Sequence, residues 1–355
     1  MNILIHSRAE DLHAAAVCWG LSVLGAKHLF WPANEFPRHQ ALSAFLSCDD
    51  DSHSIAMNGE RYDLSAVRTV WNRRHGRPQV RPDLDPRDSE FAAEQSQQHT
   101  DSFLSTLCPE AFWVNRPEVA RSELDKIGQL RAARQVGLTI PPTLISNDAE
   151  EIRSFFDAQD QDVILKAYKM RAWAGEEKRH AVYVNYTTLL SRRDLQDDDA
   201  LSAAPGIFQR RVERSFEIRV TVFGQEAISA RLDLEAGQVD SRQRQRTSDL
   251  RVSPWQLPDE VKVRCLTYMR RCNLAFCCFD FIVTPGGDHV FLEANQMGQF
   301  LWVEEKVPAL PMLDTMCAFL MSGDRNFERG KLVRRLWLAD YLEASSRDQR
   351  PSAAA

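Results

Sequence analysis

The segment that most constrains this chain lies near its C-terminal end. There Phe279-Asp280-Phe281-Ile282-Val283 and His289-Val290-Phe291-Leu292-Glu293-Ala294-Asn295 flank Thr284-Pro285-Gly286-Gly287-Asp288. Apolar, β-prone runs on either side of a Gly-Gly turn predict an antiparallel hairpin. With Gly286 and Gly287 as the two loop residues, Val283 faces Val290, Phe281 faces Leu292, and Asp280 lies directly opposite Glu293. Opposed side chains in a ladder have Cβ atoms about 4.5–5.5 Å apart, and like charges there destabilise the pair. Something must compensate. Period-2 alternation puts Asn295 on the face of Glu293, so two carboxylates and one amide oxygen converge. These are hard oxygen donors of the kind magnesium takes, with waters and substrate phosphates completing its octahedron. The plainer alternative is the solvent-facing polar edge of an ordinary hairpin.

The rest of the chain supplies a frame for this hairpin. At 355 residues it exceeds the about 100–200 residues of one domain, so two or three packed domains are expected. Residues 1–36 read as strand, helix and strand, an α/β opening. A strand over 66–71 leads into the basic loop Asn72-Arg73-Arg74-His75-Gly76-Arg77-Pro78, a polar helix covers 88–107, and the first domain closes at Arg116-Pro117. Ser122 reads as a helix N-cap, with Leu124, Ile127 and Leu130 on one face and Gly137 as the stop. Pro141-Pro142 forces extended chain. A helix from Asp148, strands over 163–167 and 182–185 and the basic loop between them make a small α+β unit ending at Pro205-Gly206. Strands over 208–212, 217–223 and 227–234, a helix over 258–272, the hairpin and a closing helix form a third unit. Residues 326–344 read as an added helix and 345–355 as a frayed tail.

Composition narrows the function. Hydrophobic residues make up 44% and charged residues 26%, the balance of a soluble globular protein. No apolar run reaches the roughly 18 residues of a membrane helix, and the opening strand lacks the pattern of a signal peptide, so a cytoplasmic protein is expected. The eight cysteines show no metal-ligand spacing, and adjacent Cys277 and Cys278 read as core thiols. A net charge of −6 argues against nucleic acid as a partner. Neither a phosphate-binding P-loop nor a G-x-G-x-x-G fingerprint is present. Only eight of the 44 basic residues are lysines, which gives weight to a lysine at a motif position.

The segment Phe291-Leu292-Glu293-Ala294-Asn295-Gln296-Met297-Gly298-Gln299-Phe300-Leu301-Trp302-Val303-Glu304 resembles the signature of ATP-grasp ligases that macrocyclise ribosomal peptides, the microviridin or graspetide synthetases. Further matches follow in family order. Val70-Trp71-Asn72-Arg73-Arg74 resembles their Trp-x-Arg-Arg, and the stretches from Lys126 to Ala133 and from Pro141 to Asp148 resemble the entry to their central domain. Glu217-Ile218-Arg219-Val220-Thr221-Val222-Phe223-Gly224 resembles another of their strands. The likeness spans roughly residues 1–322. It departs at Gln296-Met297, where the family has Pro-Asn, at Ala167 after Lys166, and at Arg210, where an acidic hinge residue is expected.

The resemblance implies a mixed α/β and α+β, three-domain ATP-grasp fold. Its parts would be an N-terminal Rossmann-like pre-ATP-grasp domain over 1–116, a small central lid domain over 117–206, a C-terminal ATP-grasp domain over 207–325, and an extra helix and tail over 326–355. It implies ATP and Mg2+ as cofactors, with Asp280, Glu293 and Asn295 on the metal and Lys126 and Lys166 on the nucleotide phosphates. The hinge Gln209, Arg211 and Val212 would hold adenine, and Glu213 takes over the ribose contact that Arg210 cannot make. Arg219 and Arg242 would act at the reacting carboxylate, with Arg73, Arg74, Arg244 and Arg246 toward the substrate. The implied partner is a ribosomally made precursor peptide, a leader plus an acidic core, whose Asp or Glu side chains become joined to Ser or Thr hydroxyls or Lys amines. Neither nucleic acid nor membrane is an expected partner, and a homodimer is compatible with this reading. Two alternatives stand beside it: a ligase that adds amino acids to a peptide, protein or small acid, and a catalytically idle ATP- and peptide-binding module.

Overall fold

The computed structural model describes residues 2–121, 125–168, 172–174, 182–184, 187–234, 250–330 and 333–348, and the elements below are those of these residues. Strands Ile3–Ser7, His28–Pro32, Thr69–Asn72 and Phe112–Val114 form a parallel sheet in which the first strand lies between the second and third. The helix Leu12–Val23 starts at Asp11, whose side chain accepts the His13 amide. Both sheet faces are covered, which explains why all five residues of the first strand are buried. On one face Leu4, Trp31, Val70 and Trp113 pack with Phe103 and Leu104 of the helix Pro86–Thr106. Leu42, Ile55 and Met57 of a three-stranded antiparallel sheet, Gln40–Leu46, Asp51–Met57 and Glu60–Asp63, complete that cluster. The sequence reading missed this small sheet. Its signal was Asn58-Gly59, with φ of 54° and 79°, the positive-φ pair of a two-residue hairpin turn.

The central unit has Thr188–Leu189, Val163–Lys166, Gly206–Arg210 and Thr143–Ser146 in that spatial order, all antiparallel. The helix Ala149–Ala158, capped by Asp148, buries Ile152 and Phe156 against Val163, Leu195 and Phe208. A five-stranded antiparallel sheet follows, in the order Arg251–Pro254, Glu226–Asp233, Phe216–Phe223, Phe276–Val283 and His289–Asn295. One face packs under the helices Asp259–Arg271 and Lys126–Gln135. The other joins the N-terminal sheet in a single cluster, with Ile3, Ile5, Trp71 and Val114 against Phe223, Phe276, Phe300 and the apolar helix Met312–Ser322. Asn115 stitches that junction. Its Oδ1 accepts the Ala275 and Phe276 amides at 2.7 and 3.2 Å, and its Nδ2 donates to the Phe276 carbonyl at 2.9 Å.

Two expectations need correction. The helix Lys126–Gln135 starts at Asp125, whose carboxylate accepts the Gly128 amide at 2.7 Å, because aspartate supplies the cap directly beside the helical run. Ser122 and Leu124 lie outside the described residues, and Ile127 is 44% exposed, the buried face being Gln129, Ala132 and Ala133. The C-terminal helix is Leu338–Asp348 and not 326–344. The chain before it is held extended by side chains: Asp314 accepts the Arg335 and Leu336 amides, and buried Glu304 accepts the Leu338 amide. Cys277 and Cys278 are fully buried, as read. No helix among the described residues is long and apolar enough to cross a membrane.

Candidate active site

The hairpin brings Asp280 opposite Glu293, but by another route than a two-residue turn. Val283 pairs with His289, Ile282 with Val290 and Phe281 with Phe291, one residue out of the expected register. The loop is wider because Thr284 closes it: its amide donates to the Asp288 carbonyl at 3.0 Å and its hydroxyl accepts the Asp288 amide at 3.1 Å. A β-bulge between Phe281 and Asp280, opposite Leu292, restores the pairing of Asp280 with Glu293, and Cys278 then faces Asn295. Phe291 and Ala294, three residues apart, consequently enter the same core cluster. Asp280, Glu293 and Asn295 share the opposite face of the sheet.

Charge balance comes from two cations. Arg219 is the direct cross-strand partner of Asp280 on the other side, and its Nη1 donates to both carboxylate oxygens at 2.7 Å. Burial opposes the guanidinium charge, yet Asp280 outweighs it and holds Arg219 above its ordinary pKa. Glu217 pairs with Arg214 at 2.8 Å. Lys126 Nζ lies 3.2 Å from Glu293 Oε2. Its helix is seated on the hairpin strand by Gln129, whose Oε1 accepts the Ala294 amide at 3.3 Å. Asn295 Oδ1 accepts the Met297 amide at 3.0 Å and starts the turn that follows. Two carboxylates and one amide oxygen on one face fit a divalent ion in donor type, and the two cations offset the like charges of Asp280 and Glu293.

The loop after Asn295 is pinned from three directions. Arg219 Nη2 donates to the Gln299 carbonyl at 2.8 Å. Arg73 Nη1 donates to the carbonyls of Met297 and Gly298 at 3.1 and 3.3 Å. His13 Nε2 accepts the amides of Phe300 and Leu301 at 3.1 and 3.2 Å. The chain passes so close beneath that a Cβ on Gly298 would lie 2.5 Å from Cys278 Cβ. Arg73 is therefore no exposed substrate residue. It is 1% exposed, 2.7 Å from Asp11 Oδ2 and over the Trp71 ring, because the N-terminal sheet ends against this loop. Arg74, one-third exposed and 3.7 Å from the same carboxylate, is the member of the pair that reaches solvent. Burial raises the Asp11 carboxyl, but Arg73 and the Ser7 hydroxyl outweigh it and keep it below the usual range.

The remaining candidates lie in and beside the central unit. Lys166 ends its strand half-buried opposite Ile207. Gln209 is buried and donates to Thr143 Oγ1 at 2.9 Å, Arg211 binds Asp162 at 2.6 Å, Val212 is half-buried and Glu213 is exposed. Arg242, Arg244 and Arg246 lie outside the described residues. Sequence reading missed His13, a lone histidine in a helical run whose partners are 287 and 288 residues away, so no local pattern marks it.

Comparison with known proteins gives this geometry a class. A family model described as the MvdD pre-ATP-grasp domain matches residues 2–121. The macrocyclase MdnC of Microcystis aeruginosa, solved with its precursor peptide MdnA, is 24% identical with a TM-score of 0.80, covering 91% of this chain and 100% of that one. A RiPP-associated ATP-grasp ligase of Chryseobacterium gregarium, solved with ADP and a leader and core peptide, is 23% identical with a TM-score of 0.84, covering 95% and 100%. The macrocyclase MdnB of Microcystis aeruginosa is 26% identical with a TM-score of 0.74, covering 90% and 99%. No curated protein matches in sequence. The chain has the fold of an ATP-grasp ligase, with a pre-ATP-grasp domain at its N-terminus. That fold is similar, along nine-tenths or more of the chain, to those of these ATP-grasp ligases and macrocyclases.

Proposed function

We propose that this protein is an ATP- and Mg2+-dependent macrocyclase of a ribosomally made precursor peptide. It would phosphorylate Asp or Glu side chains of an acidic core segment and join them to Ser or Thr hydroxyls or Lys amines of the same peptide. The reading rests chiefly on one observation: Asp280 and Glu293 share a sheet face, the first clamped by Arg219 and the second bridged to Lys126. The two cations are not equivalent. Arg219 and Asp280 are 10% and 29% exposed and fixed by several bonds, whereas Lys126 and Glu293 are 22% and 37% exposed. A half-exposed lysine pair of this kind contributes about 0–1 kcal/mol and exchanges readily. Lys126 is thus placed to leave Glu293 for a phosphate oxygen, while Arg219 keeps Asp280 oriented.

Asp280, Glu293 and Asn295 would hold Mg2+, Lys126 and Lys166 the phosphates, Gln209 through Glu213 the base and ribose, and Arg219 and Arg242 the reacting carboxylate. When bound, Mg2+ would neutralise phosphate charge during the transfer. An ionised carboxylate is a poor electrophile. Conversion to an acyl phosphate lets the hydroxyl or amine displace inorganic phosphate, so the protein's task is orientation and charge balance. The N-terminal unit over 1–116, a central unit whose last strand, Gly206–Arg210, carries it past the expected boundary at 206 because it pairs with Thr143–Ser146 and Val163–Lys166, and the catalytic unit after it would enclose the cleft, with 326–355 outside it. The precursor's leader, the homodimer and a cytoplasmic location belong to the same proposal. Mass spectrometry of precursor peptides encoded beside the gene, treated with enzyme, ATP and Mg2+, tests it. A loss of one or more waters with resistance to digestion between the joined residues is expected. A mass gain from an added amino acid, or ATP-dependent binding with no mass change, overturns it.

A further inference from the structure

The helix Leu301–Lys306 receives no capping bond from its own N-cap residue, Phe300. Its first amides are satisfied from the far end of the chain, by His13 Nε2 at 3.1 and 3.2 Å. The Phe300 N–H belongs to the same planar peptide group as the Gln299 carbonyl. That carbonyl accepts Arg219 Nη2 at 2.8 Å. One rigid amide is therefore held at both edges, by His13 and by Arg219, and Arg219 in turn holds both oxygens of Asp280 at 2.7 Å. The His13 ring is itself set edge-on to Phe300, with centroids 5.1 Å apart.

We infer that His13 is a positioning residue of the catalytic site: it orients the Gln299–Phe300 peptide and, through it, the Arg219 guanidinium and the Asp280 carboxylate. Facing two N–H donors, Nε2 must be an acceptor, so the proton sits on Nδ1, 3.9 Å from Asp11 Oδ1. The charged groups around the ring are Asp11, Arg73, Arg74 and Arg219. Burial first, then Arg73, push its pKa down to about 3 against the pull of Asp11, which keeps the acceptor lone pair available throughout the neutral range.

The inference rests on the proposed metal–nucleotide role of Asp280, and its test separates the two. ADP binding is measured by calorimetry across a series of Mg2+ concentrations, together with melting temperature, for the wild type, His13→Ala and His13→Gln. His13→Ala should raise the Mg2+ concentration for half-maximal effect about tenfold, equivalent to about 1.4 kcal/mol. Metal-free ADP affinity should stay within about twofold, and the glutamine acceptor should recover most of the loss. An unchanged Mg2+ requirement, or an equal loss of metal-free binding, overturns the inference and leaves the site proposal standing. A wild type without Mg2+-dependent ADP binding overturns both. Should His13→Ala fail to fold, 15N spectra of the wild-type imidazole decide. A neutral ring protonated on Nδ1 at pH 5.5 supports the assignment, and an imidazolium overturns it.

Discussion

Replacing Arg219 by methionine tests the charge balance at the heart of the site. Arg219 supplies two contacts to Asp280 at 2.7 Å and one to the Gln299 carbonyl at 2.8 Å. Without it Asp280 faces Glu293 across the ladder with no guanidinium behind it. Removing one partner of a buried ion pair costs about 3–5 kcal/mol, and the partial exposure of Asp280, at 29%, places this case at the low end. The abandoned carbonyl adds about 1 kcal/mol, and burial of the methionine side chain returns about 1–2 kcal/mol. A net loss of about 2–3 kcal/mol is expected, read as a shift of the urea midpoint. The double variant with Asp280→Asn removes both charges and should regain about 2 kcal/mol of that loss, the coupling expected of groups in direct contact. A loss below about 1 kcal/mol in the single variant, or no recovery in the double, would refute the argument that this pair carries the balance.

Lys126→Ala should lower affinity for Mg2+-bound ATP about tenfold while changing stability by less than about 1 kcal/mol, because its ion pair is half-exposed; filter binding and thermal melts check both halves. Asn115→Ala leaves the Ala275 and Phe276 amides and the Phe276 carbonyl without their partner in a buried junction and should cost about 3–5 kcal/mol in denaturant titration. Stability should also fall on acidification. Burial, then His75, push the His6 pKa to about 3 against the Asn72 hydrogen bond, so the unfolded chain binds the proton first. Its contribution is complete above about pH 6.5 and shrinks by about 1.4 kcal/mol per pH unit below it; a urea midpoint that is flat between pH 8 and 5.5 contradicts this.

What the sequence disclosed and what it withheld divide along physical lines. The cross-strand neighbourhood of Asp280 and Glu293 was readable because period-2 alternation and a glycine turn are local properties. The five-residue loop closed by Thr284 and the bulge at Leu292 were not, since a one-residue offset at the turn and its correction later leave the pattern almost unchanged. Arg73 misled for a similar reason. A basic loop reads as solvent-facing unless its buried partner is known, and Asp11 and the Met297 carbonyl lie 62 and 224 residues away. The small antiparallel sheet was announced by Asn58-Gly59, yet its first strand buries only Gln40 and Leu42, too sparse an apolar face to read. The order of motifs, in contrast, carried the family likeness without any knowledge of register.

The shared cluster beneath the N-terminal and five-stranded sheets sets how this protein can be recombined with relatives. Phe223, Phe276 and Phe300 interlock with Ile5, Trp71 and Val114, whereas Ile152, Phe156 and Phe208 of the central unit form a core of their own. A chimera that exchanges the N-terminal unit alone must rebuild an interior contributed by two parents, with Asn115, Arg73 and His13 each demanding a matching backbone on the other side. Exchange of the segment between Thr143 and Arg210 leaves that interior whole. The central unit is thus the natural cassette for swapping, and the two outer units are inherited as one piece.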